Sequence, residues 1–324
     1  MPVGVDDDGL PVTVRLPEHH VLAGGESGSG KSTAVQQLLA TVALDPAAEL
    51  WAVDGKELEL ACWEGAATRS VGANVRDAID LLAELQEEVS RRIGYLKRLS
   101  RAQRLPRRKL GPGDGLPLIV LVIDELACFL LLAEDAEDRR RFRGLLLDLL
   151  NRARAVGIVI VAATQKPSGA VIPTEIRDGF GVRWAFRTTT RDASDTILGA
   201  GWAALGYSSH TIDAATRGVG LLLADGQLPV RLRAHEITDT QLADLAARAT
   251  TLRGRTPTVS LAVGATVPLP RPDGAPAGAL SLSDAGDADA YLSDDELTAE
   301  WAAFARAYQQ NHPPDGDGAG GPPA

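Results

Sequence analysis

Eight consecutive residues carry the first recognisable chemistry. Gly25-Glu26-Ser27-Gly28-Ser29-Gly30-Lys31-Ser32 fits the pattern G-x-x-x-x-G-K-[ST]. Glycines let a backbone wrap close around phosphates with its N–H groups pointing inward. A helix starting near Lys31 adds its positive end. In such a loop the lysine reaches the β- and γ-phosphates, the Ser32 hydroxyl holds Mg2+, and Thr33 lies by the α-phosphate. The plain alternative is a chance Gly/Ser-rich turn. An apolar strand before the loop and a helical pattern after it are the context a nucleotide site requires, so ATP with Mg2+ is the expected pair of ligands.

Two acids supply the second element. The uncharged run Pro117–Ile123 leads into Asp124-Glu125. Ligands of parallel sheets sit at the C-terminal ends of strands. Asp124 is expected to orient Mg2+ through its water shell, and Glu125 to polarise the water that attacks the γ-phosphate in line. A solvated acidic turn is the alternative, and the upstream phosphate loop weighs against it. The next apolar strand, Ile158–Ala162, runs into Ala163-Thr164-Gln165-Lys166-Pro167. A polar side chain there, Gln165 or Thr164, would sit beside the γ-phosphate and report hydrolysis.

The elements that must hold these residues alternate along the chain. Strand patterns fall at 11–16, 21–23, 50–53, 117–123, 158–162 and 182–187, and a late hairpin pairs 220–223 with 229–232. Helical patterns fall at 31–44, 74–103 and 141–155. Continuous apolar strands alternating with helices predict an α/β fold, mainly parallel, with helices on both faces. A capping box at Thr238 and Gln241, with Ile237 and Leu242 as its staple, opens a closing helix. Residues 1–250 therefore read as one domain. Residues 251–290, rich in Pro, Gly and Ala, read as a flexible linker in a largely disordered C-terminal tail. Within that tail, 291–312 reads as a short amphipathic helix with Leu297, Trp301, Phe304 and Tyr308 on one face, and 313–324 as disordered. This helix is a candidate docking peptide for a membrane-associated partner; packing on its own domain is the competing expectation.

Charge narrows the function classes. The chain has 324 residues and a net charge of −10, which argues against a surface coated in DNA-binding charge. Any contact with DNA must come from local patches. One stretch, from Arg91 to Lys109, holds nine basic residues and no acid. It reads equally as a surface for DNA or anionic lipid and as a solvated helix face. Two cysteines, Cys62 and Cys128, lack metal-ligand spacing and read as small core residues. No signal peptide or membrane-spanning run is expected, so the cytoplasm is the expected compartment, with any hold on membrane or septum supplied from elsewhere.

Several segments in the right order resemble the FtsK/SpoIIIE family of DNA-pumping ATPases, within the HerA/FtsK division of RecA-like P-loop motors. Gly4–Leu16 resembles the family's entry hairpin. Val53-Asp54-Gly55-Lys56 is similar to its D-P-K, with Gly for Pro. Arg154-Ala155-Val156-Gly157-Ile158 followed by Ala163-Thr164-Gln165-Lys166-Pro167-Ser168 resembles G-R-A-x-G-I…A-T-Q-R-P-S. Val182 to Leu198 and Gly220 to Asp239 resemble its closing segments. The resemblance implies a ring, usually a hexamer, acting on double-stranded DNA, with nucleotide between subunits and an arginine supplied in trans. Arg183 is the first candidate for that arginine and Arg187 the second; the alternative for each is an exposed arginine at a strand end. Arg191 and Arg217 fall in loops that would face the channel and touch DNA phosphates. Two departures from the larger members are expected: neither a winged-helix module nor membrane helices are read in these residues. A short motor of this kind looks most like the actinobacterial plasmid-transfer (Tra) proteins. The expectation is therefore a double-stranded DNA translocase for conjugative transfer. The alternatives are a type VII-like protein-export motor, a chromosome-segregation pump and a non-hydrolysing nucleotide binder.

Overall fold

Large and smaller apolar residues alternate along the two central strands, and that alternation builds two cores. The computed structural model describes residues 1–111, 113–224 and 226–254, and the backbone of Thr258–Leu261 and Ala265–Pro268. Its strands are β1 (Pro2–Asp6), β2 (Pro11–Thr13), β3 (Val21–Gly24), β4 (Ala48–Val53), β5 (Arg69–Val71), β6 (Leu118–Ile123), β7 (Ile158–Thr164), β8 (Val182–Phe186), β9 (Val219–Ala224) and β10 (Val230–Ala234). Its α-helices are α1 (Lys31–Leu44), α2 (Val75–Gln103), α3 (Ala136–Arg152), α4 (Thr174–Arg177), α5 (Arg191–Leu198) and α6 (Asp239–Leu252). Ile119, Leu121, Ile123, Ile158 and Ile160 face a core built with α2, α3 and α5. Val120, Val122, Val159 and Val161 face the opposite core, built with α1 and α6. Successive side chains of a strand point to opposite faces, so apolar residues at every position mean cover on both sides.

The strands form one sheet in the order β2-β1-β10-β9-β8-β3-β7-β6-β4-β5. The run from β5 to β8 is parallel. From β8 onward every pairing is antiparallel. The sheet is therefore mixed, with the parallel part at the nucleotide motifs. Short links such as the one joining β9 to β10 allow only antiparallel pairing; the parallel neighbours are joined through helices. The short edge strand β5 is an addition to the sequence-based list, and so are α4 and α5; β1 and β2 form the hairpin that the resemblance placed at 4–16. The 11–16 strand is shorter than expected, because Leu16–Glu18 forms one tight helical turn.

Helix boundaries follow their caps. Asn74 accepts a hydrogen bond from Arg76 N–H at the head of α2, and the capping box of Thr238 and Gln241 is formed at the head of α6. Helix α3 starts five residues ahead of the predicted Arg141, because the Asp135 carboxylate accepts from Glu137 N–H. The segment read as linker from residue 251 contains the end of α6 and a hairpin of β11 (Thr258–Leu261) with β12 (Ala265–Pro268). The rest of that segment, the 291–312 helix and the 313–324 tail lie outside the described residues. Among the described residues no helix is long and apolar enough to cross a membrane.

The basic stretch at the end of α2 is divided by the fold. Arg92 is buried, and its guanidinium donates to Pro117 O at 2.8 Å, Val156 O at 3.1 Å, Gly157 O at 3.3 Å and Glu88 Oε1 at 2.6 Å. It ties α2 to the starts of β6 and β7. Arg91 also pairs with Glu88, and Arg107 makes a two-pronged pair with Asp114 at 2.6 and 2.7 Å. Lys97, Arg101 and Arg108 line a groove between the ends of α2 and α3.

Candidate nucleotide site

The phosphate loop sits where β3 hands over to α1. Gly28 and Gly30 take φ of 77° and 93°, a region open to glycine and costly for other residues. Gly30 caps α1, so the helix offers its first N–H groups to whatever the loop encloses. The loop is braced on three sides. Gly25 N–H donates to Thr164 O, Glu26 N–H to Arg187 O, and Gly218 N–H to Ser29 O. A Cβ on Gly30 would lie 2.4 Å from Gly218 N, so the two glycines touch through bare backbone. Ser27 and Gly28 are exposed at the tip, while Ser29 is buried and its hydroxyl makes no hydrogen bond.

Lys31 is 3% exposed at the first position of α1. Burial lowers its pKa, and the nearby charge of Lys56 lowers it further; Glu125, Glu59 and Asp124 oppose the shift. Ser32 donates to Glu59 Oε1 at 2.9 Å. Thr33 is half-buried in the first turn, one residue further along the helix. Gln36 extends the same face: it donates to Glu59 O and accepts from Trp63 Nε1–H, the latter at 2.5 Å, fixing the Glu59 segment against α1.

Strand β6 delivers both acids to the cleft. Asp124 Oδ1 accepts from Gly55 N–H at 2.6 Å, and Oδ2 is buried with no hydrogen-bond partner. Burial, and then the carboxylate of Asp54, push the Asp124 pKa up to about 7. Asp124 lines the same cleft as Lys31 and Ser32, and its orphaned carboxylate oxygen suits a hydrated cation, whose water would satisfy it. Among the described residues no group of three acids, histidines or cysteines gathers to hold a metal directly. A cation here would take its ligands from Ser32, water and phosphate oxygens, as at other phosphate loops. Glu125 is 5% exposed. Its Oε1 accepts from the Thr164 hydroxyl at 2.6 Å and its Oε2 from Gln165 N–H at 2.8 Å. The end of β7 thus clamps the carboxylate through Thr164. Gln165 contributes its backbone, and its side chain is half-buried at the rim.

The arginines divide. Arg187 lies at the end of β8 and pairs with Glu26 of the same chain's phosphate loop. Arg183 sits deeper on β8, half-buried beside Gly199; its Nε has no hydrogen-bond partner, and burial, then Arg177, lower its pKa. Arg191 is exposed at the head of α5. Arg217 is exposed too, but its stem lies over the phosphate loop: a Cβ on Gly30 would be 3.3 Å from Arg217 Cγ. Both cysteines are partly buried, and burial raises their thiol pKa values, that of Cys62 to about 12. The shift favours the protonated thiol at both, and Cys128 Sγ donates to Gly55 O at 3.3 Å.

The reading of the sequence missed Asp54, Lys56 and Glu59 as site residues. All three follow β4, the neighbour of β6. Their signal was Asp54-Gly55-Lys56, charged residues directly after an apolar strand, the same pattern that exposed Asp124.

A profile of the FtsK/SpoIIIE family matches residues 1–111. A Staphylococcus epidermidis protein named DNA translocase FtsK is 30% identical over 216 residues, covering 62% of this chain and 26% of that protein. A Ralstonia nicotianae protein named DNA translocase FtsK 2 is 30% identical over 273 residues, covering 75% of this chain and 33% of that protein. The chain thus spans between a quarter and a third of the length of these curated relatives. Among solved structures, the pCW3 conjugation coupling protein TcpA, in its monomer form with ATPgS, superposes with a TM-score of 0.64 at 25% identity, covering 78% of this chain and 70% of that one. The cytoplasmic domain of the Thermomonospora curvata type VII secretion ATPase EccC shares the fold, with a TM-score of 0.58 at 20% identity over 77% of this chain and 30% of that one. The fold is that of a P-loop ATPase, and over residues 1–111 the chain matches the FtsK/SpoIIIE family.

Proposed function

We propose that residues 1–250 form the ATP-hydrolysing motor of a double-stranded DNA translocase, working as a ring of six subunits in conjugative transfer of plasmid DNA between cells. The observation that carries the hydrolysis is the convergence of Lys31, Asp124 and Glu125 on one buried cleft at the head of α1. Lys31 and the loop N–H groups would grip the β- and γ-phosphates. Glu125, oriented by Thr164 and Gln165 N–H, would accept the proton of the attacking water. Bound Mg2+ would neutralise charge on the phosphate oxygens, with Ser32 and Asp124 as the residues that hold it. Movement of Glu125 on hydrolysis would reach β7 directly, through the bonds that tie it to Thr164 and Gln165.

The DNA half of the reading draws on the relatives named as DNA translocases and on the neighbour named as a conjugation coupling protein. Exposed Arg191 and Arg217 would meet phosphates without reading bases. Arg183 is the preferred trans arginine, since Arg187 is already paired within its own chain.

The test is ATP turnover with and without long linear duplex DNA. Stimulation that grows with DNA length is expected. Turnover indifferent to duplex DNA but raised by a peptide would replace the DNA reading with protein export. Glu125→Gln should keep ATP binding and lower hydrolysis by about 10²–10³-fold. Unchanged turnover would remove Glu125 from the mechanism.

A further inference from the structure

Lys56 has no task in the ATPase reading, yet it is placed like a ligand-binding group. Its Nζ is buried and makes no hydrogen bond, although an ammonium carries three donors. The nearest acceptors are Glu59 Oε1 at 3.7 Å and Glu125 Oε2 at 3.9 Å, both beyond hydrogen-bond length. An ammonium so placed, beside Glu59 of the cleft lining and beside Glu125, keeps its donors for an incoming anion.

The backbone around Lys56 is fixed on both sides. Asp54 accepts from Lys56 N–H at 3.2 Å and from Leu60 N–H at 2.9 Å. Gly55 N–H donates to Asp124, so the turn is tied to the tip of β6. Glu57, next in line, takes φ of 58°, an uncommon conformation for a residue with a side chain. From the same turn Glu59 holds the Ser32 hydroxyl. A firmly built turn thus carries an ammonium whose bonding is incomplete, within reach of the carboxylate that would activate water.

The geometry points to Lys56 as a second phosphate-binding lysine, which grips the γ-phosphoryl group opposite Lys31 and thereby distinguishes ATP from ADP. This rests on the ATPase reading and adds a specificity-determining residue to it. On filling of the cleft the Lys56 ammonium exchanges two loose carboxylate contacts for phosphate oxygens. Glu125 keeps its Thr164 and Gln165 bonds and loses only its cationic neighbour. A lysine serving solely as a link between Glu59 and Glu125 would treat the two nucleotides alike.

Equilibrium binding to the full chain decides the matter, using fluorescent ADP and a fluorescent non-hydrolysable ATP analogue with Mg2+. Lys56→Met should weaken the ATP analogue by about 10–100-fold, the range of a charge-assisted bond, and leave ADP within about 2-fold. Lys56→Arg should recover part of the loss. Equal effects on both nucleotides, or none on either, would overturn the assignment. A thermal melt checks folding, and Lys56→Gln takes the place of Lys56→Met should the latter unfold. Lys31→Met, run alongside, should weaken both nucleotides together. If the unaltered chain binds neither, the ATPase reading itself falls and takes this inference with it; if it binds both and Lys56→Met fails to discriminate, only the inference falls.

Discussion

The two ends of strand β6 are built from the same kinds of charged residue and put them to opposite uses. At the C-terminal end stand the buried Asp124, Glu125 and Lys31 and the half-buried Lys56, with bonding capacity left over at Asp124 Oδ2 and Lys56 Nζ. At the N-terminal end stands Arg92, equally buried, with its bonds made to three carbonyl oxygens and to Glu88. Six residues separate the two ends, about 20 Å at strand spacing. Burying a charge is costly wherever it happens, and bonds to neighbours offset the cost. A buried charge that is finished serves the fold. One that is left unfinished lowers stability by itself and is tolerated where a ligand completes it. The comparison therefore separates functional from structural charge without reference to sequence motifs.

Substitutions can break that contrast, and the largest effect belongs to the nucleotide end. Lys31→Ala should lower ATP turnover on the order of 10³-fold, measured by phosphate release, with little loss of thermal stability. A strong fall in melting temperature would place Lys31 among the structural charges instead. Arg92→Leu should do the reverse. It strands the carbonyls of Pro117 and Val156, leaves Gly157 O with Ile119 N–H alone and Glu88 with Arg91 alone, at a cost of about 3–5 kcal/mol in denaturant unfolding. Nucleotide affinity of the molecules that stay folded should not change.

His20, just ahead of β3, sharpens the comparison through pH. Its Nδ1 accepts from Ile160 N–H at 2.9 Å, and burial, then Arg154, lower its pKa to about 4. A histidine kept neutral in the fold takes up a proton in the unfolded chain first. Its contribution is therefore complete above about pH 6.5 and is lost as pH falls towards 4, by up to about 3 kcal/mol. Unfolding curves of the chain and of His20→Gln should converge across that window. The smallest effect is expected at the groove beside α2. Changing Lys97 and Arg101 to Ala should alter stability by less than about 0.5 kcal/mol and leave DNA-free turnover unchanged, because neither is buried in a finished network.

The phosphate loop was legible because its chemistry is local: eight residues carry the whole pattern, and strand and helix flank it in sequence. Asp124 and Glu125 were legible because an uncharged strand ends in two acids. Helix α2 was legible down to its cap, since Asn74 and the spacing of Ile79, Leu82, Leu85 and Val89 are both local signals. What escaped depends on contacts between distant segments. The pairing of Glu59 with Ser32 joins residues 27 apart, and the clamp of Thr164 on Glu125 joins residues 39 apart. Arg92 looked like one more member of a basic run, and only the approach of Pro117, Val156 and Gly157 turns it into a fastening. The two antiparallel hairpins were legible as local pairs, but their joining was hidden for a related reason: β1 and β10 find each other across more than two hundred residues.

The bare-backbone contact between Gly30 and Gly218 has a mechanical consequence. With no side chain on either partner and a hydrogen bond from Gly218 N–H to Ser29 O, there is no slack between the two segments. Any shift of the loop as phosphates arrive or leave must drag residue 218, and with it the exposed guanidinium of Arg217 next door. Chemistry at the head of α1 is in this way geared to the outer surface over a single van der Waals diameter.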